Sequence, residues 1–325
     1  MNYSNLGHTG IQVSEIGFGA WGIGGSHNGA IAYGTTNDNE SCRALRRAFD
    51  LGVTFYDTAD LYGYGHSETL IGQEFKGCRH SIVIASKGGL VDQKGGQNFT
   101  IDHIKTCIEG SLRRLQTDYI DLYQLHDPPM QVLEDETFLE CLEILKKEGK
   151  IRSLGISVRS PEEALVAINK FGFEVVQVNF NMVDQRAVDC GVMDLCKKES
   201  VGLIVRTPLC FGFLTGHFSA DTDFDGHDHR KNWSTQQKEC WANAPQLFNL
   251  ASEGSKQTEA QKALRYCLSY PEVSTVIPGM LSEKEVEENI EASQMGPLPE
   301  TEIQRIENVY KEHTFFLGKT GTSLT

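Results

Sequence analysis

The hydrophobic positions of this chain follow two periods, one typical of buried strands and one typical of amphipathic helices. Short runs of β-branched and other apolar residues recur along almost the whole length, and turn residues separate them. These runs predict eight strands. The predicted strands are Glu15 to Phe18, Thr54 to Tyr56, Ile82 to Ala85, Ile120 to Leu125, Ile151 to Ile156, Val175 to Val178, Gly202 to Val205 and Ser274 to Ile277.

The intervals between these strands show the helical period. One interval carries apolar residues every three or four positions, which places them on one helix face. These residues are Ile101, Ile104, Ile108, Leu112 and Leu115. Another helix is predicted to begin with Ser160 as its N-cap and Pro161 in its first turn. Regular alternation of strands and helices favours a (β/α)8 TIM barrel over an open sheet, and we expect residues 1–325 to form one domain.

Two segments fall outside this alternation. Tyr3 to Val13 predicts a short N-terminal β-hairpin that turns at His8-Thr9-Gly10 and covers the floor of the barrel. Thr207 to Ser255 follows the seventh barrel strand and predicts a long loop, since it shows neither period. A loop at that position would lie over the face of the barrel that carries active sites.

The composition of the chain argues against two classes of binding partner. The chain has 30 Lys and Arg against 44 Asp and Glu, a formal net charge of −14, which argues against nucleic acid or an anionic membrane surface as a partner. No apolar run approaches the roughly 20 residues of a membrane-spanning helix, and the first residues do not form a signal peptide. The nine cysteines are scattered and predict reduced thiols, so we expect a cytoplasmic protein.

Polar or ionisable residues stand at or just after the ends of six consecutive predicted strands. Because the C-terminal ends of barrel strands meet on one face, we expect these side chains to lie close together. They are Asp57, Tyr62, Lys87, His126, Ser157, Gln177 and Arg206.

This set of residues suits the reduction of a carbonyl group. The pKa of a tyrosine is ordinarily near 10, and the ammonium group of Lys87 would lower it if Asp57 held the lysine in place. Tyr62 would then act as the proton donor, and His126 would share a hydrogen bond with the substrate oxygen. Since no side chain donates a hydride, these residues also imply a redox cofactor.

The residues around this predicted site resemble a known family. Phe55 to Gly63, with the sequence F-Y-D-T-A-D-L-Y-G, is similar to the signature of the aldo-keto reductases, and Lys87 and His126 match the family's lysine and histidine positions. The resemblance implies a TIM barrel that reduces aldehydes or ketones with a nicotinamide cofactor. It implies a catalytic tetrad of Asp57, Tyr62, Lys87 and His126, and a substrate pocket walled by Trp21 beside Tyr62 and His126.

The same resemblance implies where the cofactor binds. Ser157 and Gln177 resemble the residues that hold the carboxamide, Thr207 to Gly216 resembles the loop along the pyrophosphate, and Ile277 to Asn289 resembles the adenosine site. The implied cofactor residues are Ser157, Gln177, Arg206, Pro208, Leu209, Gly212, Gly216, Gly279, Ser282, Glu285, Glu288 and Asn289.

Three positions depart from the family's pattern. Val158 stands where many relatives have Asn, and Arg206 stands where many have an aromatic residue that stacks on the nicotinamide; a guanidinium plane can also stack. Glu285 stands where some NADP-preferring relatives have a basic residue for the 2′-phosphate, and a carboxylate there would repel it. Lys284 and Arg230 are candidate substitutes. The resemblance therefore favours NADP(H), with NAD(H) as the alternative because of Glu285.

Two local patterns suggest a different nucleotide site or a metal site, and one other function is compatible with the predicted barrel. Gly17 to Gly22 fits G-x-G-x-x-G, but the glycine-rich residues after it do not predict the helix that a dinucleotide fingerprint needs. The Asp and His residues in 221–230 have no metal-ligand spacing, so we expect a solvated loop there and no metal. A nicotinamide-binding redox sensor, similar to potassium-channel β subunits, is the alternative to an enzyme. The expected partner is a small carbonyl compound, and small aldehydes, sugars or sugar derivatives and hydroxyketones are all compatible with the predicted site.

Overall fold

Eight parallel strands form one sheet in the computed structural model, which describes residues 1–250 and 256–317. Two further strands, β1 and β2, form a separate antiparallel pair. The strands are β1 (Tyr3–Asn5), β2 (Gln12–Ser14), β3 (Phe18–Gly19), β4 (Phe55–Asp57), β5 (Val83–Gly88), β6 (Ile120–His126), β7 (Ile151–Ser157), β8 (Val175–Asn179), β9 (Gly202–Arg206) and β10 (Val273–Ile277). In the large sheet each strand from β3 to β10 pairs with the next along the chain, as in a TIM barrel.

The barrel closes between its first and last strands. Backbone bridges join Ile16 to Val276 and Gly19 to Gly279. The first strand, β3, begins later than the predicted Glu15 because the residues before Phe18 pair only with the last strand. Gly19 permits this approach, since a Cβ there would lie 2.6 Å from the carbonyl oxygen of Ile277.

Helices cover the outside of the barrel. They are α1 (Asp38–Asp50), α2 (His66–Phe75), α3 (Ile101–Leu115), α4 (Glu136–Lys147), α5 (Pro161–Phe171), α6 (Arg186–Asp189), α7 (Val192–Glu199), α8 (Thr235–Ala242), α9 (Ala244–Leu247), α10 (Glu259–Leu268), α11 (Glu283–Met295) and α12 (Glu300–Glu312). The helix predicted from its apolar face is α3, which buries Ile104, Ile108 and Leu112. The predicted start of α5 is also confirmed: Ser160 caps it and Glu163 completes the capping box.

The predicted hairpin seals one end of the barrel. Strands β1 and β2 pair antiparallel, and the hairpin buries Leu6, Ile11 and Val13 inside the sheet. There they join an apolar layer that the barrel strands contribute, formed by Phe55, Ala85, Leu122, Val175, Ile204 and Ile277. Burial of this layer stabilises the barrel and leaves the C-terminal ends of the strands as the open face.

The long connection after β9 is present, but residues 207–250 contain regular structure. Short 3-10 helices lie at Cys210–Thr215 and His229–Asn232, and α8 and α9 follow. Trp241 is fully buried among aromatic rings in this segment. The expectation of a solvated stretch at 221–230 is wrong for Asp228 to Arg230, which are buried. Residues 251–255, also within the predicted loop, lie outside the described residues.

All nine cysteines are free thiols, and five of them are buried. Among the described helices, none combines the length and the apolar character needed to cross a bilayer.

Candidate active site

A polar layer lies directly above the apolar floor of the barrel. Successive residues of a strand point to opposite faces, so the residue two positions after an inward-facing one also faces inward. Each member of the polar layer follows a floor residue by two positions. The five pairs are Phe55 with Asp57, Ala85 with Lys87, Leu122 with Gln124, Val175 with Gln177 and Ile204 with Arg206.

Lys87 connects Asp57 and Tyr62 within this layer. Its ammonium nitrogen Nζ lies 2.5 Å from Oδ1 of Asp57 and 3.1 Å from the hydroxyl oxygen Oη of Tyr62. It also donates to the carbonyl oxygen of Thr58 at 3.0 Å. Lys87 is fully buried and Asp57 nearly so, and a buried ammonium group needs such a partner. The structure therefore brings together three of the four predicted catalytic residues.

Two glutamine side chains hold the other oxygen of Asp57. Nε2 of Gln177 donates to Oδ2 at 2.8 Å, and Nε2 of Gln124 donates to it at 3.1 Å. Gln177 Nε2 also donates to Gln124 Oε1 at 3.2 Å. Because a carboxylate only accepts, both amides must turn their nitrogen toward Asp57. Both donors of Gln177 are thus used, and its oxygen is the group left for a ligand.

The prediction of site residues missed Gln124. The signal was available, because Leu122, Gln124 and His126 alternate at the period of a strand and Gln124 must face the barrel interior with them. Its contact with Asp57 makes it a member of the candidate site.

Tyr62 is held by a turn that packs closely against the first βα loop. The turn Tyr62–Gly65 contains Gly63 at φ +58, a conformation that favours glycine. A Cβ at Gly63 would collide with the carbonyl oxygen of Gly24. The two glycines therefore let the chain bring the Tyr62 hydroxyl to Lys87.

The predicted lowering of the Tyr62 pKa is wrong. Burial penalises the phenolate more than the charges of Lys87 and Arg206 stabilise it, so the pKa of Tyr62 is raised above its ordinary value. Burial also disfavours the charged form of Lys87. The charges of Asp57 and Tyr62, and their hydrogen bonds with the ammonium group, outweigh this effect and raise the pKa of Lys87. Tyr62 is accordingly a neutral phenol beside an ammonium group, which is the state a proton donor requires.

His126 faces Tyr62 from the end of β6. The centroids of the two rings are 5.9 Å apart, and the rings are nearly perpendicular. Burial, followed by the charges of Lys87 and Arg206, holds the pKa of His126 well below its ordinary value. The ring is therefore neutral, and its buried Nδ1 has no hydrogen-bond partner among the described residues. A neutral imidazole can donate one hydrogen bond to a ligand oxygen.

A cavity of about 980 Å³ opens onto these side chains. Most of the residues that the family resemblance implies for catalysis, substrate and cofactor line this cavity. These are Trp21, Asp57, Tyr62, His126, Gln177, Arg206, Pro208, Leu209, Gly212, Gly279, Ser282, Glu285, Glu288 and Asn289. Lys87 lies behind Tyr62, and Ser157 and Gly216 do not line the cavity. The Ser157 hydroxyl instead lies 3.5 Å from Asp127, so its predicted contact with a carboxamide requires that the hydroxyl turn.

The cavity walls fit an elongated ligand with anionic groups. In the loop after β9, Cys210, Phe211 and Gly212 all have positive φ, and the N–H groups of Cys210 and Gly212 donate to the carbonyl oxygens of Thr207 and Leu209, both at 2.9 Å. A Cβ at Gly212 would lie 2.7 Å from the Phe218 ring, so this backbone conformation requires glycine at that position. Arg206 and Lys284 also line the cavity, so a dinucleotide with its phosphate groups is chemically compatible with these walls.

Two predicted cofactor residues have structural partners. Glu285 belongs to the capping box that begins α11: its Oε2 accepts from the backbone of Leu281 and Ser282, at 2.6 and 3.2 Å. Arg230 donates hydrogen bonds to both carboxylate oxygens of Asp228, and the shortest joins Nη2 to Oδ2 at 2.6 Å. Arg230 is thus unsuited as a substitute phosphate ligand, and Lys284 is the remaining candidate near Glu285. Among the described residues, no group of three or more His, Cys, Asp or Glu side chains is placed to hold a metal ion.

Comparison with known proteins identifies the family. The model of the Aldo/keto reductase family matches residues 15–311, nearly the whole chain. This chain belongs to the aldo/keto reductase family. The four residues of the candidate tetrad lie within the matched range, and the eight-stranded barrel is the fold of the family.

Individual relatives of this chain support the assignment. The "Uncharacterized oxidoreductase YqkF" of Bacillus subtilis is 31% identical over 323 residues, covering 96% of this chain and 99% of the relative. The "Aldo-keto reductase yakc [NADP(+)]" of Schizosaccharomyces pombe is 30% identical, covering 86% and 84%. The holo structure of aldo-keto reductase AKR11C1 from Bacillus halodurans superposes with a TM-score of 0.77 at 28% identity, covering 99% of both chains.

Proposed function

We propose that this protein is an NAD(P)H-dependent oxidoreductase that reduces an aldehyde or ketone to an alcohol, with Tyr62 as general acid. The observation that carries the proposal is the position of the Tyr62 hydroxyl, which faces the cavity at 3.1 Å from Lys87 Nζ while Asp57 holds that nitrogen at 2.5 Å. A neutral phenol beside a buried ammonium group is poised to give its proton to an oxygen that gains negative charge.

Each residue of the site has a distinct task in this reaction. Bound nicotinamide supplies the hydride that reduces the carbonyl carbon. Tyr62 transfers its proton to the carbonyl oxygen, and Lys87 stabilises the phenolate that remains. His126 donates a hydrogen bond to the same oxygen and thereby orients the substrate. Asp57 keeps Lys87 charged and in place, and Trp21 forms a wall of the cavity.

The test is turnover with a panel of small aldehydes, ketones and hydroxyketones, followed through the absorbance of NADPH or NADH. Consumption that depends on the carbonyl compound supports the enzyme. Tight cofactor binding without turnover of any member would instead favour the redox-sensing alternative, and absence of cofactor binding would contradict both.

Fractionation of cells would locate the protein, which we propose to be cytoplasmic.

For the cofactor, we propose NADP(H), with NAD(H) as the alternative. The name of the fission-yeast relative supports NADP, and Lys284 offers a cation at the cavity wall. Glu285 opposes a 2′-phosphate at the same wall because its carboxylate carries negative charge.

Exchanging Glu285 for glutamine is expected to tighten NADPH binding several-fold and leave NADH binding unchanged. Glutamine can accept the same backbone N–H groups in the capping box, so the start of α11 is preserved while the charge is lost. Fluorescence titration of both cofactors measures the change. Glu283→Gln on the same first turn is the matched control, because Glu283 does not line the cavity. Equal changes for NADPH and NADH in Glu285→Gln would show that this position does not meet the 2′-phosphate.

A further inference from the structure

Arg159 is a permanently charged side chain in the cavity wall, and its guanidinium group has no partner among the described residues. It follows Ser157, the last residue of β7, by two positions and is partly buried. Its Nε is buried without a hydrogen-bond partner, and its terminal nitrogens form no hydrogen bond or ion pair with a described residue. Arginine does not lose its proton in proteins, so this charge is fixed.

No other arginine that is shielded from solvent is left in this state. Among the described residues, every other buried or partly buried arginine donates to a carboxylate or to a backbone carbonyl oxygen. A charged side chain that leaves solvent ordinarily gains such a partner. The unpartnered guanidinium group of Arg159 therefore indicates a ligand in the cavity.

Two carboxylates stand near Arg159 in the chain and across the sheet, and neither forms an ion pair with it. Glu163 accepts from the backbone nitrogens of Arg159 and Ser160 in the capping box of α5, at 2.9 and 3.4 Å. Asp127 follows the neighbouring strand β6, and its side-chain contact is with the Ser157 hydroxyl at 3.5 Å. The charge of Arg159 is therefore free to act on a ligand.

The ends of the barrel strands carry a net positive charge around the cavity. Asp57 and Lys87 compensate each other at 2.5 Å. The remaining charged side chains at these strand ends are two guanidinium groups, on Arg159 and Arg206, and one carboxylate, on Asp127. This end of the cavity therefore attracts an anion.

Arg159 lies within a small molecule's length of the proton donor. His126 and Ser157 are register partners on β6 and β7, which places their backbones about 4.8 Å apart. Arg159 comes two residues later, about 7 Å further along an extended chain. The His126 ring faces the Tyr62 ring at a centroid distance of 5.9 Å. A carbonyl compound whose oxygen meets both rings thus needs only a few bonds to bring a second group to the guanidinium.

The position of Arg159 favours the substrate over the phosphates of the cofactor. The residues that the family resemblance implies for the pyrophosphate and the adenosine follow β9 and β10, whereas Arg159 follows β7. Adjacent strands lie about 4.8 Å apart, so two or three strands correspond to about 10–15 Å along the rim of the barrel.

We propose that Arg159 binds an anionic group of the substrate, so that this protein prefers carbonyl compounds that carry a carboxylate or a phosphate. The inference rests on the proposed function. A guanidinium group can donate two parallel N–H bonds to either anion. Loss of this contact is expected to lower kcat/KM for an anionic substrate by about tenfold to a hundredfold.

The experiment measures kcat/KM for pairs of carbonyl compounds that differ in charge. Succinic semialdehyde against 4-oxobutanamide tests a carboxylate, and glyceraldehyde 3-phosphate against glyceraldehyde tests a phosphate. The readout is the ratio of kcat/KM for the anionic member to kcat/KM for the neutral member of each pair. The pair with the higher ratio in the parent protein identifies the preferred anion.

Three variants test the role of the guanidinium group. Arg159→Met removes the charge at similar length, and Arg159→Lys keeps the charge but loses the planar pair of donors. Arg113→Met is the matched control, because Arg113 is exposed on α3, has no partner among the described residues and does not line the cavity. We expect the ratio for the preferred anion to fall about tenfold to a hundredfold in Arg159→Met, to fall less in Arg159→Lys and to stay at the parent value in Arg113→Met.

An unchanged ratio in Arg159→Met, or an equal fall in Arg113→Met, would overturn the inference. Preference of the parent protein for the neutral member of both pairs would overturn it without any variant. Weaker NADPH binding in Arg159→Met with an unchanged ratio would assign the arginine to the cofactor and overturn it as well. Turnover of neutral carbonyl compounds leaves the proposed function standing in each of these cases, whereas absence of turnover with every compound would contradict the proposed function itself.

Discussion

Replacing Tyr62 with phenylalanine is expected to lower kcat for carbonyl reduction by about 10²- to 10⁴-fold, the usual contribution of a positioned general acid. The change removes only the hydroxyl that lies 3.1 Å from Lys87 Nζ. The ring keeps its contacts with Trp21 and His126, at centroid distances of 6.5 and 5.9 Å. Cofactor affinity should therefore stay near that of the parent, and titration with NADPH measured beside turnover separates the two effects.

Tyr64→Phe is the matched control for this variant. Tyr64 lies in the same turn but is exposed, so removal of its hydroxyl should leave turnover unchanged. Full turnover in Tyr62→Phe would remove this residue as the proton donor. A parallel loss in Tyr64→Phe would point to damage of the turn.

Replacing Lys87 with methionine is expected to lower the free energy of unfolding by about 3–5 kcal/mol, because the carboxylate of Asp57 would stay buried without its cation. Asp57→Asn should also destabilise the protein, since it leaves the ammonium group without a carboxylate. The double variant Asp57→Asn with Lys87→Met should recover most of this loss, because no uncompensated charge remains. Urea denaturation measures the three values, and all three variants should lack turnover.

A surface ion pair provides the comparison. Lys150 pairs with Glu109 at 2.6 Å, but both side chains are well exposed. Lys150→Met should therefore cost no more than about 1 kcal/mol, as is usual for exposed pairs. If the double variant is as unstable as the sum of the single ones, then Asp57 and Lys87 do not stabilise each other in the way that their geometry indicates.

The sequence predicts the layout of this site because one rule, the two-residue period of a strand, decides it. Once Phe55 and Ala85 face inward, Asp57 and Lys87 must do so at the next level of the barrel. The same rule applies to Gln124, whose position could have been derived from Leu122. The barrel, the hairpin and the start of α5 were predicted because each depends on local pattern or capping.

Properties that depend on distant packing could not be predicted in this way. The sign of the Tyr62 pKa shift follows from the balance between burial and the charge of Lys87, and burial comes from residues far away in the sequence. The burial of Asp228 and Arg230 likewise depends on rings contributed by Tyr33, Phe218 and Phe224. The structural role of Glu285, by contrast, could have been predicted from the sequence. Residues 282–285 have the S-x-x-E spacing of a capping box, and Glu285 completes that box in the structure.

The hairpin at the far end of the barrel has a consequence for proton supply. The hairpin residues close the end of the barrel opposite the active site; they are Leu6, Ile11 and Val13. We therefore expect solvent to reach the Tyr62 hydroxyl through the same cavity opening that admits the substrate. In the proposed reaction, a bound carbonyl compound would separate Tyr62 from bulk water until the alcohol departs. Tyr62 would then regain its proton only between turnovers, and its reprotonation would belong to the product-release phase of each cycle.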